Sequence, residues 1–533
     1  MTTKFMCITN TKTFTVIPAA AVLLMLSFIT IFSYQYGWQW IDSEHSAEMV
    51  LGRLLSQENA LVSPNWLYTT EIRIIYQTIF TMPLFKLLDH LDNWPLIRAL
   101  NILLNNITLV LSYIFLMKSM KVQAKWSLIT ALFLLMPLSV TYWNIVTFGG
   151  YYIIFIAQLF CCLGLFIRLA RHEGAIKAKR MEWLLFILLS FALGAQSIRS
   201  LFAVHIPLLL SCGYMRYYHH NKKNLLYGGV GFIACCAGFA VNNLLHHWYS
   251  FMSYGDMGID NLFANYFSKL GRSLANIAGF FGLATGTPVF SVRGFMCIAA
   301  LFAAIIVLRL VYVTLLHRKG QPPFMQLFFA ISLVFNMFVF IVANHAVIDR
   351  YFIPFMVLYV PLAALFCEHA EKAYQPLKRM AAVCGIILFV IAQGCLTMHG
   401  MAGRDNNSIR KGYIQYLLNN RFEYGFATPM NSNITTELTN GMVEVAGLDP
   451  RQQSGSGAQL FRMHDCMNKA QFLDPQYHSG ESFLLLTREE WNSFSRRIAF
   501  AGVKPDYEDN HFAVIRYPSS QALHSSLVES QKK

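Results

Sequence analysis

The chain has 533 residues, of which 55% are hydrophobic and only 13% charged. Soluble domains average about 25% charged, so this composition excludes an ordinary soluble protein and predicts an α-helical polytopic membrane protein. Net charge is +14, yet residues 1–398 hold 28 Lys/Arg against 14 Asp/Glu, whereas residues 399–533 hold 14 of each. That split suits loop topology and excludes a nucleic-acid binder, which needs a basic face on a soluble domain.

In chain order, the first apolar run is Phe14 to Tyr34, preceded by Lys4 and Lys12. It spans about 21 residues and lacks a small-residue cleavage site, so it reads as an uncleaved transmembrane helix rather than a signal peptide. Further apolar runs predict helices at 97–117, 126–145, 149–169, 182–198, 200–215, 225–245, 292–316, 324–344, 351–368 and 380–398. Basic clusters at Lys4/Lys12, Lys118/Lys121/Lys125, Arg168 to Arg180, Arg216 to Lys223, His317 to Lys319 and Lys372 to Arg379 all fall on one side under the positive-inside rule. About 11 crossings result, with a cytoplasmic N-terminus and the tail outside. Ile74 to Leu88 is short and interrupted by Pro83 and Lys86, which predicts a helix lying in the interface. Asn276 to Phe290, rich in Gly and Thr, reads as re-entrant. No stretch alternates like an outer-membrane barrel strand.

The expected organisation is a transmembrane domain over 1–399, with an outer loop at 35–96, and a small extracytoplasmic α/β domain over 400–533. In the latter, Ser482 to Thr487 and His511 to Arg516 read as strands, Arg488 to Arg497 as a short helix, and Gln452 to Gly457 as a Gly/Ser loop. Ten of the 11 cysteines lie at or before Cys395, so Cys466 has no disulfide partner in the tail. No CxxC or Cys/His spacing marks a structural metal site.

Chemistry-bearing residues gather on the expected outer side. Gly37-Trp38-Gln39-Trp40-Ile41-Asp42-Ser43-Glu44-His45 follows the first helix and carries two carboxylates two positions apart. These fit a base that deprotonates an acceptor hydroxyl, although by residue type alone a pair of acids more often simply solvates a loop. Arg53, Glu71 and Arg73 stand either as substrate contacts or as mutual partners. Arg199, between two short apolar runs, is a functional candidate if it lies at membrane depth and suits bidentate phosphate binding; alternatively it is a solvated hairpin turn. Arg350, in Asp349-Arg350-Tyr351-Phe352-Ile353-Pro354, needs a partner outside, either a lipid phosphate or Asp349. His345 is a ligand or acid–base group, or a bystander. Gln158, His205, Asn242, Asn336 and Gln393 read as interhelical hydrogen bonders. Intramembrane acids, expected of a coupled transporter, are missing, as are Walker A, GxSxG and HExxH motifs.

The constellation resembles the GT-C superfamily of membrane glycosyltransferases, which includes the protein O-mannosyltransferases and the lipid A aminoarabinose transferases. The resemblance rests on the first helix leading to Asp42 and Glu44, the 74–88 segment, Arg98 opening the second helix, the short helix pair around Arg199, Arg350-Tyr351-Phe352-Ile353-Pro354, and an outer C-terminal domain. It covers roughly residues 10–400, and the segments 424–428 and 436–441 are also similar to bacterial members. The resemblance implies an inverting enzyme of the cytoplasmic membrane, transferring a sugar from a polyprenyl-phosphate donor to an envelope glycan, lipid or protein. It implies Asp42 as base with Glu44 second, and Arg199 and Arg350, with Tyr351, His345, Arg53 and Arg73, around the donor. Where members of the superfamily commonly pair Asp with Glu, this chain has Asp42-Ser43-Glu44, leaving open which carboxylate acts and whether a divalent metal joins them. The other classes are a flippase or transporter of lipid-linked sugars, and a membrane scaffold.

Overall fold

The computed structural model describes residues 13–528, except 70, 73, 172–178, 220–221, 253–264, 317–323, 343–348, 372–375, 452–459, 498–499 and 501. The chain divides into two compact units. One comprises Met1–Ile31, Ile102–Asn242 and Gly255–Gly403; the other comprises Phe32–Asn101, Asn243–Tyr254 and Arg404–Lys533. One division falls between Gly403 and Arg404, and the first loop groups with the tail.

The first unit is helical. Among the described residues, seven helices of the chain are long and apolar enough to cross a membrane, and a bent pair makes an eighth. Each of the eleven expected segments contains helix, but four are broken or short, the 182–198 segment being the 17-residue helix Arg180–Gln196. The 126–145 segment is two helices, Ala124–Leu135 and Val140–Thr147, at 96°. Pro137 explains the break: Met136 before it is extended, as the proline ring forces on its predecessor. The 200–215 segment opens with a π turn, Leu201–His205. The 351–368 segment is a 3-10 turn at Asp349–Phe352, a short turn at Ile353–Met356 and a helix at Tyr359–Glu371. Val292–Leu316 exposes Phe302 and Ile306 and Pro376–Ala402 exposes Leu388, the surface expected of helices facing lipid. An additional helix, Tyr266–Phe280, covers the start of the expected re-entrant stretch.

Among the described residues, the second unit holds eight strands: β1 (Trp66–Leu67), β2 (Tyr424–Ala427), β3 (Glu444–Pro450), β4 (Phe461–Met463), β5 (Asn468–Lys469), β6 (Ser482–Thr487), β7 (Tyr507–Glu508) and β8 (Phe512–Tyr517). Six form one mixed sheet in the order β4-β3-β2-β6-β8-β7, with β2 parallel to both β3 and β6 and the remaining pairs antiparallel. Alternating side chains bury both faces. Phe426, Leu484, Leu486, Ala513 and Ile515 pack with Trp491, Phe494, Leu523 and Leu527. Val445, Phe483, Leu485, Phe512 and Val514 pack with Tyr413 and Leu417. The Gly/Ser loop at 452–457 lies outside the described residues.

The first loop docks on this domain within the same unit. β1 pairs antiparallel with β5, Trp66 opposite Lys469, and the amide of Tyr68 donates to Ser250 O at 2.9 Å. The helix Ser43–Glu58 buries Ala47, Val50 and Leu54 with Phe85, Trp94 and Ile97. Phe85 lies on the helix Thr78–Leu88, which forms where the 74–88 segment is expected to be helical.

Candidate functional site

In the second unit the candidate site is built on a helix N-terminus. Asp42 is the N-cap of the 43–58 helix, its Oδ1 accepting from the amide of His45 at 2.8 Å. Aspartate is among the preferred caps because it satisfies an otherwise orphaned amide and complements the helix dipole. The same Oδ1 stands 2.8 Å from His45 Nδ1. His45 is buried, while the Asp42 side chain is 52% exposed. Burial pushes the Asp42 pKa up, but the charge of His45, its two hydrogen bonds and the charge of Arg98 outweigh that and hold it at about 2. Glu44 is exposed in the first helical turn.

Behind His45 lies a buried ion pair. Arg98 Nη2 donates to His45 O at 2.9 Å, and Arg98 Nε and Nη2 donate to the two oxygens of Glu437 at 2.6 and 2.7 Å. Further bonds tie the acidic loop to the tail: Asn407 Nδ2 donates to Trp38 O and Ile41 O at 2.7 and 2.9 Å, Trp40 Nε1 to Arg404 O at 3.2 Å, and Ser43 Oγ to Pro429 O. The loop is therefore a fixed platform, as a carboxylate in a reaction requires. Arg53 donates to Asp89 Oδ2 at 3.2 Å and Gly441 O at 3.1 Å, with its guanidinium 5.4 Å from the Trp94 ring centre. Those contacts place it in the frame. Arg73 lies outside the described residues.

In the first unit, Arg199 sits in the turn after the helix Arg180–Gln196. Its Nη1 donates to Tyr152 Oη at 2.6 Å, and its guanidinium lies 4.9 Å from the centre of the Tyr351 ring. The Arg350 guanidinium lies 5.8 Å from the same ring, which stacks on Phe340 at 6.2 Å. Three residues singled out in the sequence thus share one cluster, and Tyr152 joins them. Planar Arg forks match phosphate oxygens, so two guanidiniums near one ring suit an anion. His345 lies outside the described residues.

The other polar helix residues behave mostly as expected. Gln196 Nε2 donates to Gln158 Oε1 at 2.9 Å, Asn336 to Phe202 O at 3.1 Å, Gln393 to Leu138 O at 2.8 Å, and Asn242 to Ala195 O. His205 departs: it is fully buried, and neither ring nitrogen has a hydrogen-bond partner among the described residues.

Sequence reasoning missed His45, Tyr152 and the partnership of Arg98 with Glu437. Only His45 had a local signal, its position three residues after a capping acid. The others meet through packing.

No family model matches the chain, and no curated protein does. The solved structures are informative. The chain is similar to crystal structures of ArnT from Cupriavidus metallidurans, one bound to undecaprenyl phosphate and one in the apo state. Each has a TM-score of 0.50 and covers 93% of this chain and 98% of the other, at 12% and 10% identity respectively. The chain has an ArnT-like fold. The likeness extends over nearly the whole of both chains, and the helical fold with a small C-terminal α/β region expected from the sequence is the one observed. At this identity the fold is what is shared.

Proposed function

We propose that the chain is a glycosyltransferase of the GT-C type, moving a sugar from a polyprenyl-phosphate donor to an envelope glycan, lipid or protein acceptor at the outer face of the cytoplasmic membrane. The observation that carries this reading is the ArnT-like fold over 93% of the chain, the ArnT structure being one bound to undecaprenyl phosphate. The clustering of Arg199, Arg350 and Tyr351 supports it, because a basic, aromatic-backed cluster suits a lipid phosphate. The N-terminus is then cytoplasmic, and the unit holding the first loop and the tail is extracytoplasmic.

In this reading the acceptor oxygen attacks the anomeric carbon opposite the phosphate. The C–O bond to the phosphate breaks with inversion, and the electron pair leaves on the phosphate oxygen. Arg199 and Arg350 stabilise that developing charge electrostatically. Asp42 accepts the acceptor's proton, with Glu44 as the second carboxylate. A carboxylate held at about 2 is a weak base, so proton transfer comes late, once the attacking oxygen has become acidic by bonding to carbon. Arg73 and His345 are further donor contacts, whereas Arg53 is assigned to holding the loop. A divalent ion on Asp42 and Glu44 is an alternative role for the pair.

The test uses purified protein and a panel of undecaprenyl-phosphate hexoses and pentoses, reading release of undecaprenyl phosphate. Release by wild type, and its loss in Asp42→Asn and Arg199→Ala, is expected. No release with any donor, alongside translocation of the same lipids in vesicles, would favour the flippase class.

A further inference from the structure

Away from these residues, the turn between β4 and β5 gathers a second set of reactive side chains. We propose that His464, Asp465 and Cys466 bind a borderline-soft divalent transition ion, with Zn(II) the natural occupant and one coordination position left open.

One ligand atom from each of the three residues lies within 4.8 Å of the others. Cys466 Sγ and His464 Nε2 are 3.3 Å apart. Two such ligands on a tetrahedral Zn(II), with bonds of ~2.05 and ~2.3 Å, stand about 3.6 Å apart, so this pair needs only a few tenths of an ångström of movement, and Asp465 closes on the ion from within 4.8 Å. The other imidazole nitrogen is committed: His464 Nδ1 is 2.9 Å from Asp449 Oδ1. With Nδ1 donating there, Nε2, which faces the sulfur, is the nitrogen that would lose its proton to an ion. Asp449 is itself oriented, its Oδ2 lying 3.3 Å from Arg462 Nε. A carboxylate that orients a ligating imidazole is the usual outer support of a zinc histidine.

The backbone carrying the ligands is held on both sides. The amide of His464 donates to Gly447 O at 2.9 Å, and that of Met467 to Leu67 O at 2.7 Å. Asn433 Nδ2 donates to Met467 O at 2.8 Å and Asn468 Nδ2 to His464 O at 3.4 Å. Because β5 pairs with β1, an ion here would lock the turn against the first loop. Cys466 has no other cysteine in its unit, so a disulfide there does not compete. The triplet Cys466–His464–Asp449 also has the order of a thiol nucleophile relay, but Cys466 is only 4% exposed, which suits a ligand better than a nucleophile.

The experiment uses the full-length chain in detergent, stripped by chelator and titrated with Co(II), then Zn(II). One equivalent of Co(II) with a thiolate-to-metal charge-transfer band, displaced by Zn(II), is expected. Cys466→Ser should lose that band, and Asp449→Asn, with all ligands present, should bind about 10–100-fold more weakly. In the wild type, Zn(II) should slow alkylation of Cys466 read by peptide mass mapping, a measurement that needs no variant to fold. Absence of the band, its persistence in Cys466→Ser, or alkylation indifferent to Zn(II) would overturn the proposal. Sugar transfer is not a readout, so failure here is distinct from failure of the glycosyltransferase reading.

Discussion

Arg98 grips both carboxylate oxygens of Glu437, at 2.6 and 2.7 Å, across 339 residues of sequence. Both side chains are buried, at 7% and 5% exposure, and the same guanidinium bonds the carbonyl of His45. One ion pair thereby ties the first loop, the start of the second long helix and the tail domain into one unit, with Asp42 two hydrogen bonds away through His45.

Breaking that pair should be costly. Glu437→Gln or Arg98→Met leaves an uncompensated buried charge, which typically costs about 3–5 kcal/mol. The expected result is a large drop in the thermal midpoint of the detergent-solubilised protein. Replacing both with apolar residues of similar volume should recover most of it, since a buried pair is often no more stable than a packed apolar one. A double variant as unstable as the sum of the singles would contradict this.

Asp42→Asn should separate structure from chemistry. Asparagine caps a helix about as well as aspartate, so the thermal midpoint should scarcely move, while turnover falls about 10²–10⁴-fold if Asp42 takes the proton. Asp42→Ala should lose the same activity and about 1 kcal/mol of stability in addition. Glu44→Gln run in parallel shows which carboxylate dominates.

The pH dependence has a definite sign. The Asp42 pKa is lowered from 3.8 to about 2, so the folded state favours its ionised form. The stability it contributes is present above about pH 4 and is lost as pH falls through 4 to 2. An acid limb of activity near pH 6 therefore cannot be the titration of Asp42. A pH–rate profile of wild type that is flat from pH 7 to 5 is the expected observation.

Arg199→Lys should be almost as damaging as Arg199→Ala, because an ammonium reproduces neither the fork to phosphate nor the stacking on Tyr351. Tyr152→Phe removes the 2.6 Å bond to Arg199, a bond to a charged group worth about 1.5–3 kcal/mol. Donor kcat/KM should fall roughly 10–100-fold with the stability little changed. Rescue of Arg199→Ala by Lys would show that charge alone suffices.

Gly441 has φ +74°, and a Cβ there would meet Arg53 Nη1 at 2.4 Å and Trp94 at 2.5 Å. Gly441→Ala should cost about 1–3 kcal/mol through backbone strain, and more if Arg53 must leave its carbonyl. A thermal midpoint equal to wild type would show that the 436–441 turn yields.

The apolar runs were legible because a membrane span is a local property: length and hydropathy over about 20 residues decide it. So were β6, the strand near 512–517 and the helix after Thr487, where turn and capping residues mark the boundaries. The break at Pro137 had a local signal too, but a hydropathy window averages over it. Asp42, Arg199, Arg350 and Tyr351 were legible as residue types suited to chemistry, and the Tyr351 ring, in the 3-10 turn at Asp349–Phe352, lies 4.9 and 5.8 Å from the two guanidiniums.

By itself, then, the amino-acid sequence determined that this is a polytopic membrane protein with a mixed α/β tail, and which charged residues deserved attention. The tertiary structure decided that the first loop and the tail are one unit, that Arg98 belongs to Glu437, that Arg53 is spent on Asp89 and Gly441, and that Arg199 rests on Tyr152 and Tyr351. The physical reason is range. Hydropathy, capping and proline act over a few residues, whereas which cation meets which carboxylate or ring depends on how distant segments pack, and a buried charge takes the partner that packing brings to it.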